Sequence, residues 1–233
     1  TYLKILNRHL PGDPLRLAET LLTALKQRAR LTPAKTACYF SNKPTTYKEL
    51  FAGICNFAAY LRQFDIKKGD RVILKLENSR EFFFAYYGVQ RLGAIAVPIY
   101  HNSSIERIAT LTGISLARAL VTSQALSPEK EAGITGLMKR DGIHFLNLPE
   151  GIRFKGDVDD IPFPRPGDLA MLQYTSGTTG DPKGVMLTHG NLLANVRQMI
   201  PKARFTEKDV FVSWLPVYHD MGLITMTMCP FYL

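Results

Sequence analysis

Apolar residues along the chain recur in two rhythms, a helical spacing of three to four and short unbroken runs, and the two alternate. Leu50, Ile54, Phe57, Ala58 and Leu61 repeat at helical spacing behind a capping box of Thr46 and Glu49, which predicts a helix with one buried stripe from Thr46 to about Phe64. An earlier helix is expected from Asp13 as cap, with Pro14 at its first position, to about Arg30, and a short strand from Thr36 to Phe40. Lys68-Gly69-Asp70 closes that unit.

The run Arg71 to Leu76 then reads as a strand. Asn78 or Ser79 caps a helix carrying Phe82, Phe83, Phe84, Tyr86 and Tyr87, and Gly93 ends it before a strand from Ala94 to Ile99. A second capping box, Ser103 and Glu106, opens the next helix, followed by a strand Ala119 to Thr122, a helix Ser127 to Arg140 and a strand Ile143 to Leu146. This order predicts an α/β fold of layered parallel-type sheets with helices on both faces. From Pro149 to Gly167 the pattern lapses into Pro, Gly and Asp. Three parts are therefore expected: residues 1–150 as a first α/β subdomain, 151–168 as a linker or surface loop, and 169–233 as the start of a second subdomain. In that last part Leu169 to Tyr174 is strand-like, His189 to Ile200 helix-like, and Val210 to Trp214 strand-like again.

At 233 residues and 46% hydrophobic, the chain is long and apolar enough to bury a core, which excludes a disordered or staple-dependent scaffold. A net charge of +9 suits anionic ligands, but the basic residues are dispersed apart from Lys26 to Arg30, so nucleic acid is not expected as a partner. Cys38, Cys55 and Cys229 are odd in number and scattered, which fits neither a disulfide framework nor a zinc site and suits a reducing cytoplasm. His9, His101 and His144 have no metal-ligand spacing, so no metal site is expected in this chain. No apolar run reaches the roughly 18 residues of a membrane span. From Phe211 to Leu233 only Asp220 carries a formal charge, and the chain stops at Cys229-Pro230-Phe231-Tyr232-Leu233. Such an end must be buried or form a sticky patch, and it reads as the front part of a longer polypeptide.

The chemistry concentrates in Tyr174-Thr175-Ser176-Gly177-Thr178-Thr179-Gly180-Asp181-Pro182-Lys183-Gly184. Glycines allow backbone N–H groups to turn inward around an anion, hydroxyls donate further, and a lysine adds charge, so polyphosphate is the natural ligand. The order Lys183-Gly184 differs from the P-loop's Gly-Lys-Ser/Thr, and without any Gly-x-Gly the usual dinucleotide fingerprint is excluded.

This loop resembles the phosphate-binding loop of the adenylate-forming superfamily, which includes acyl-CoA synthetases, fatty acyl-AMP ligases, luciferases and peptide-synthetase adenylation domains. Trp214-Leu215-Pro216-Val217-Tyr218-His219-Asp220-Met221-Gly222-Leu223 is similar to the acyl-pocket segment of fatty acyl-AMP ligases and some acyl-CoA synthetases. Gly69 to Val72 and Gly93 to Pro98 resemble the first βαβ stretch of the same enzymes. The resemblance implies the N-terminal part of the large domain of such an enzyme. It also implies ATP-dependent activation of a medium- or long-chain fatty acid to an acyl-adenylate, with release of pyrophosphate and transfer to coenzyme A or a carrier-protein phosphopantetheine.

Carried over residue by residue, Thr175, Ser176, Thr178, Thr179 and Lys183 would hold the β- and γ-phosphates, while Gly177 and Gly180 let the loop close. Trp214, Tyr218, His219, Met221 and Gly222 would line the acyl substrate. His219 would sit beside the substrate carboxylate, where amino-acid-activating domains have an aspartate. Taken singly, Trp214, Tyr218, Met221, Leu223, Met226 and Met228 read as core, and Asp220 as packing. The ligand for Mg2+, the ribose-holding aspartate and the adenylation lysine are expected beyond Leu233. The 233 residues alone are therefore expected to be catalytically silent. A fatty acid and an acyl carrier protein are the implied partners. The alternative is a non-catalytic nucleotide-binding remnant of the same fold.

Overall fold

The computed structural model describes residues 15, 17–123, 128–148, 157–175 and 182–233. Helix α1 is Leu21–Leu31, β1 is Thr36–Phe40, β2 is Lys43–Thr46 and α2 is Tyr47–Arg62. Strand β3 (Arg71–Lys75), α3 (Arg80–Arg91), β4 (Ile95–Pro98), α4 (Ile105–Ser115), β5 (Ala117–Thr122), α5 (Pro128–Arg140) and β6 (His144–Asn147) follow in strict alternation. Then come β7 (Leu169–Thr175), β8 (Lys183–Thr188), α6 (His189–Ala203), a π-helical stretch Met221–Met228 and a last turn α7 (Cys229–Tyr232).

Among the described residues the main sheet has six strands in the order β6-β5-β3-β4-β7-β8. All neighbours in it run parallel except β7 and β8, which are antiparallel. The expected α/β class with helices on both faces is the one found. Period two along the strands divides its core: Val72, Leu74, Ala96, Ala119 and Val121 face one cluster, while Ile73, Val97 and Leu120 face the other. On the first face α2 and α3 cross closely, because a Cβ on Gly88 would come within 2.8 Å of the Phe57 ring. Helices α4 and α5 cover the opposite face through Ile108, Leu111, Ile134 and Met138.

Local signals placed most elements. Thr46 and Glu49 form the reciprocal capping box that opens α2, and Ser79 accepts from the Phe82 amide to open α3. Other expectations shift. Helix α1 begins at Leu21, behind a capping box of Thr20 and Thr23, with residues 17–20 outside it; the expected cap Asp13 and Pro14 lie outside the described residues. Ser104, and not Ser103, caps α4. The sequence between the glycine-rich loop and α6 is a strand, β8, paired along β7 from Leu169–Thr188 to Thr175–Lys183. Val210 to Trp214 forms no strand: it has no strand beside it among the described residues, and Val210, Val212 and Trp214 face solvent while Phe211 packs edge-on against Phe205.

The described part of the expected linker, 157–167, is strapped to the first face. Arg91 donates to the carbonyls of Val158 (2.7 Å) and Ile161 (2.9 Å) and lies 4.2 Å from the centre of the Phe163 ring. Strand β7, on which the expected second subdomain opens, lies beside β4 in the same sheet. The apolar end is buried: Phe231 packs edge-on against Phe83 with ring centres 5.1 Å apart, and Arg28 donates to the carbonyls of Tyr232 and Leu233. No helix among the described residues is long and apolar enough to cross a membrane.

His189, the first residue of α6, is buried, and its Nε2 has no hydrogen-bond partner among the described residues. Burial lowers its pKa from 6.5 to about 4, against the opposing pull of Asp168. The unfolded chain therefore binds a proton that the folded chain refuses. Stability is full above pH 6.5 and falls as pH drops toward 4, by up to about 1.4 kcal/mol per pH unit from this group. Urea unfolding at pH 7.5, 6.5, 5.5 and 4.5 checks this: the loss should be shallower in His189→Gln, and equal slopes in the two proteins would contradict it.

Candidate active site

Pairing of Thr175 with Lys183 makes the glycine-rich segment the closed end of a hairpin. The loop thus springs from the carboxyl end of β7, where open α/β sheets place their ligands. Thr175 and Lys183 are both exposed, facing each other as cross-strand partners at the hairpin mouth. Ser176, Gly177, Thr178, Thr179 and Gly180 lie outside the described residues.

The other motif runs beside the same strand. Gln173 of β7 donates from Nε2 to the Tyr218 carbonyl at 3.1 Å. The Tyr218 ring meets Tyr100 (5.3 Å between centres) and His101 (6.4 Å), which leave the carboxyl end of β4. These two residues extend the aromatic wall and were not expected in it, His101 having been set aside for lack of metal spacing. Their signal was only that they follow a strand end. Burial and the neighbouring Tyr100 both raise the Tyr218 pKa, which keeps its hydroxyl protonated.

His219 follows, two-thirds exposed, with Nδ1 2.6 Å from Asp220 Oδ1. Asp220 Oδ1 also accepts from the Met221 amide at 2.7 Å. Asp220 is therefore no packing residue: it is as exposed as His219, holds the ring through Nδ1 and caps the π-helical stretch. In solvent such a pair adds little stability. Its effect is orientation.

The remaining predicted residues separate. Trp214 is 85% exposed and Met221 58% exposed, so neither belongs to the core that their apolarity suggested. Leu223 and Met228 are core. Gly222 lines a cavity of about 130 Å3 with Val217, Met226, Phe40, Phe83 and Phe231. Trp214, Tyr218, His219 and Met221 do not line it. Gly222 is also what lets the π-helical stretch pass beneath the preceding loop, since a Cβ there would collide with the Pro216 carbonyl. No group of His, Cys, Asp and Glu among the described residues could hold a metal ion.

Gly222→Ala should destabilise the chain by about 1–3 kcal/mol through that collision, read as a lower urea midpoint; a midpoint equal to that of the wild type would contradict the packing. Trp214 is the sole tryptophan, so acrylamide should quench the intrinsic fluorescence efficiently. Emission shielded from the quencher would place Trp214 inside.

Residues 25–233 match the family described as AMP-binding enzyme. The chain is 33% identical over 205 residues to 4-coumarate-CoA ligase 1 of Narcissus pseudonarcissus, covering 82% of this chain and 37% of that protein. It is 33% identical over 217 residues to a long-chain-fatty-acid–CoA ligase of Escherichia coli O6:H1, covering 76% of this chain and 38% of that protein. The structure of a fatty acyl-adenylate ligase from L. pneumophila, in complex with acyl adenylate and pyrophosphate, superposes with a TM-score of 0.76. It is 28% identical, and the match covers 92% of this chain and 38% of that one. The chain thus spans well under half the length of the curated relatives it matches, and it belongs to the AMP-binding enzyme family.

Proposed function

We propose that this chain is the phosphate-gripping and acid-holding part of a ligase that activates a fatty acid with ATP. In the reaction a carboxylate oxygen attacks the α-phosphorus, the bond to the β-phosphate oxygen breaks, and pyrophosphate leaves an acyl-adenylate. The acyl group then passes to a thiol, of coenzyme A or of a carrier protein's phosphopantetheine. The observation that carries this reading is the tie between Gln173 and Tyr218, because it joins the segment bearing His219 to the strand that enters the phosphate loop.

Lys183 and Thr175 stand together at the mouth of that loop, so a cation and a hydroxyl meet the β- and γ-phosphates as pyrophosphate charge develops. The hydroxyls and backbone N–H groups of 176–180 complete the grip. His219, turned by Asp220, faces the carboxylate, and the aromatic rings of Tyr100 and Tyr218 flank it. Magnesium would neutralise phosphate charge when bound, and no group of His, Cys, Asp and Glu among the described residues could hold it. A fatty rather than an aryl acid is favoured by the Tyr218-His219-Asp220-Met221-Gly222 segment, while the likeness to fatty acyl ligases is equalled by the likeness to 4-coumarate ligases.

Acid-dependent exchange of pyrophosphate into ATP tests this, using the longest polypeptide that contains the chain and a panel of fatty acids from short to long together with 4-coumarate. Exchange should be strongest with a fatty acid and fall by about a hundredfold or more in Lys183→Ala, the scale of losing one transition-state contact to developing charge. The 233 residues alone should turn over no acid. Tight ATP binding without exchange for any acid would leave a nucleotide-binding remnant instead.

A further inference from the structure

Residues 204–219 contain no helix or strand, yet they carry Tyr218 and His219 to a defined place. What holds them is side-chain amides reaching from the main sheet. Asn78, three residues beyond the end of β3, donates from Nδ2 to the Leu215 carbonyl at 2.8 Å and accepts from the Val217 amide at Oδ1 at 3.0 Å. One planar amide thereby satisfies a carbonyl and an N–H two residues apart, as a neighbouring strand would. Gln173, on β7, takes a carbonyl three residues further on, that of Tyr218. Strand β4 lies between β3 and β7, so the two amides grip the segment from either side of one rigid strand. Val217, buried between them, keeps the segment from lifting.

Asn78 also lines both the cavity at Gly222 and a recess of about 310 Å3 at the carboxyl ends of β3, β5 and β6. It stands at the boundary between the two. Its hydrogen bonds span 137 and 139 residues of sequence, and neither its own neighbours nor those of Leu215 announce them.

We propose that Asn78 and Gln173 are positioning residues that together fix Tyr218 and His219 relative to the phosphate loop. Gln173 lies two residues before Thr175, so any shift of β7 moves the acid-holding segment and the phosphate grip together. Asn78 references the same segment to the centre of the sheet. The pair keeps carboxylate and α-phosphorus in register, where an error near 1 Å can cost about a hundredfold in rate. This rests on the adenylation reading above.

Asn78→Leu and Gln173→Met keep the side-chain size and remove the amide. In the longest polypeptide that contains this chain, each variant should lower kcat for acid-dependent exchange by about tenfold while leaving the KM for ATP within about twofold, since each hydrogen bond acts on the acid-holding segment alone. A merely structural role would instead move both or neither. In the 233-residue chain, amide hydrogen exchange at Val217 should quicken by about tenfold in Asn78→Leu, with Val72 of β3 unchanged. If Asn78→Leu unfolds, Gln173→Met decides by its kinetic split. Unaltered kcat in both variants, or unaltered Val217 exchange in a folded Asn78→Leu, overturns the proposal while leaving the ligase reading intact. A wild type that is inactive with every acid removes the ligase reading, and this proposal with it.

Discussion

A mostly parallel sheet covered by helices on both faces can offer polar groups to a ligand only at the ends of its strands. That constraint shapes the whole chain. Ile73 and Val97 are spent on one face and Val72, Leu74 and Ala96 on the other, so the middle of the sheet is apolar throughout. Chemistry is displaced to the carboxyl ends: Asn78 beyond β3, Tyr100 and His101 beyond β4, Thr175 at the end of β7. Strand β7 leads into the segment 174–184 and, through Gln173, holds Tyr218 of the segment 214–223.

Much of the frame was legible because its signals are local. A capping box needs four residues, and Thr46 with Glu49 stated where α2 starts; the buried stripe Leu50, Ile54, Phe57, Ala58 and Leu61 followed from spacing alone. Errors arose where two local solutions compete or where the partner is distant. Ser103 and Ser104 are adjacent candidate caps, and only the backbone path selects the second. Strand β8 sits at the sheet edge with an exposed Val185 and Met186, so it lacks the burial alternation that marks a half-buried strand. Val210 to Trp214 has strand-like composition, but a strand is a pairing, and no strand stands beside it among the described residues.

The site divides in the same way. Glycines, hydroxyls and a lysine in one loop announce an anion by composition, and the segment around His219 is recognised by its likeness to known enzymes. What fixes those groups was hidden. Asn78 reads as a helix cap, Gln173 as one polar residue in a strand, and Asp220 as packing; each acts through a contact that depends on the path of the folded chain. For Asn78 and Gln173, orientation is thus supplied by residues outside both motifs.

The most direct measurement is a structure of the longest polypeptide containing this chain with an unreactive acyl-adenylate analogue bound. The arrangement of β7, Tyr218 and His219 predicts the analogue's acyl carbonyl beside His219 and its phosphate between that carbonyl and the Thr175–Lys183 mouth, which is left to the departing pyrophosphate, with the bonds from Asn78 and Gln173 intact. An acyl group seated elsewhere, for instance in the recess lined by Lys43 and Arg80, would contradict it.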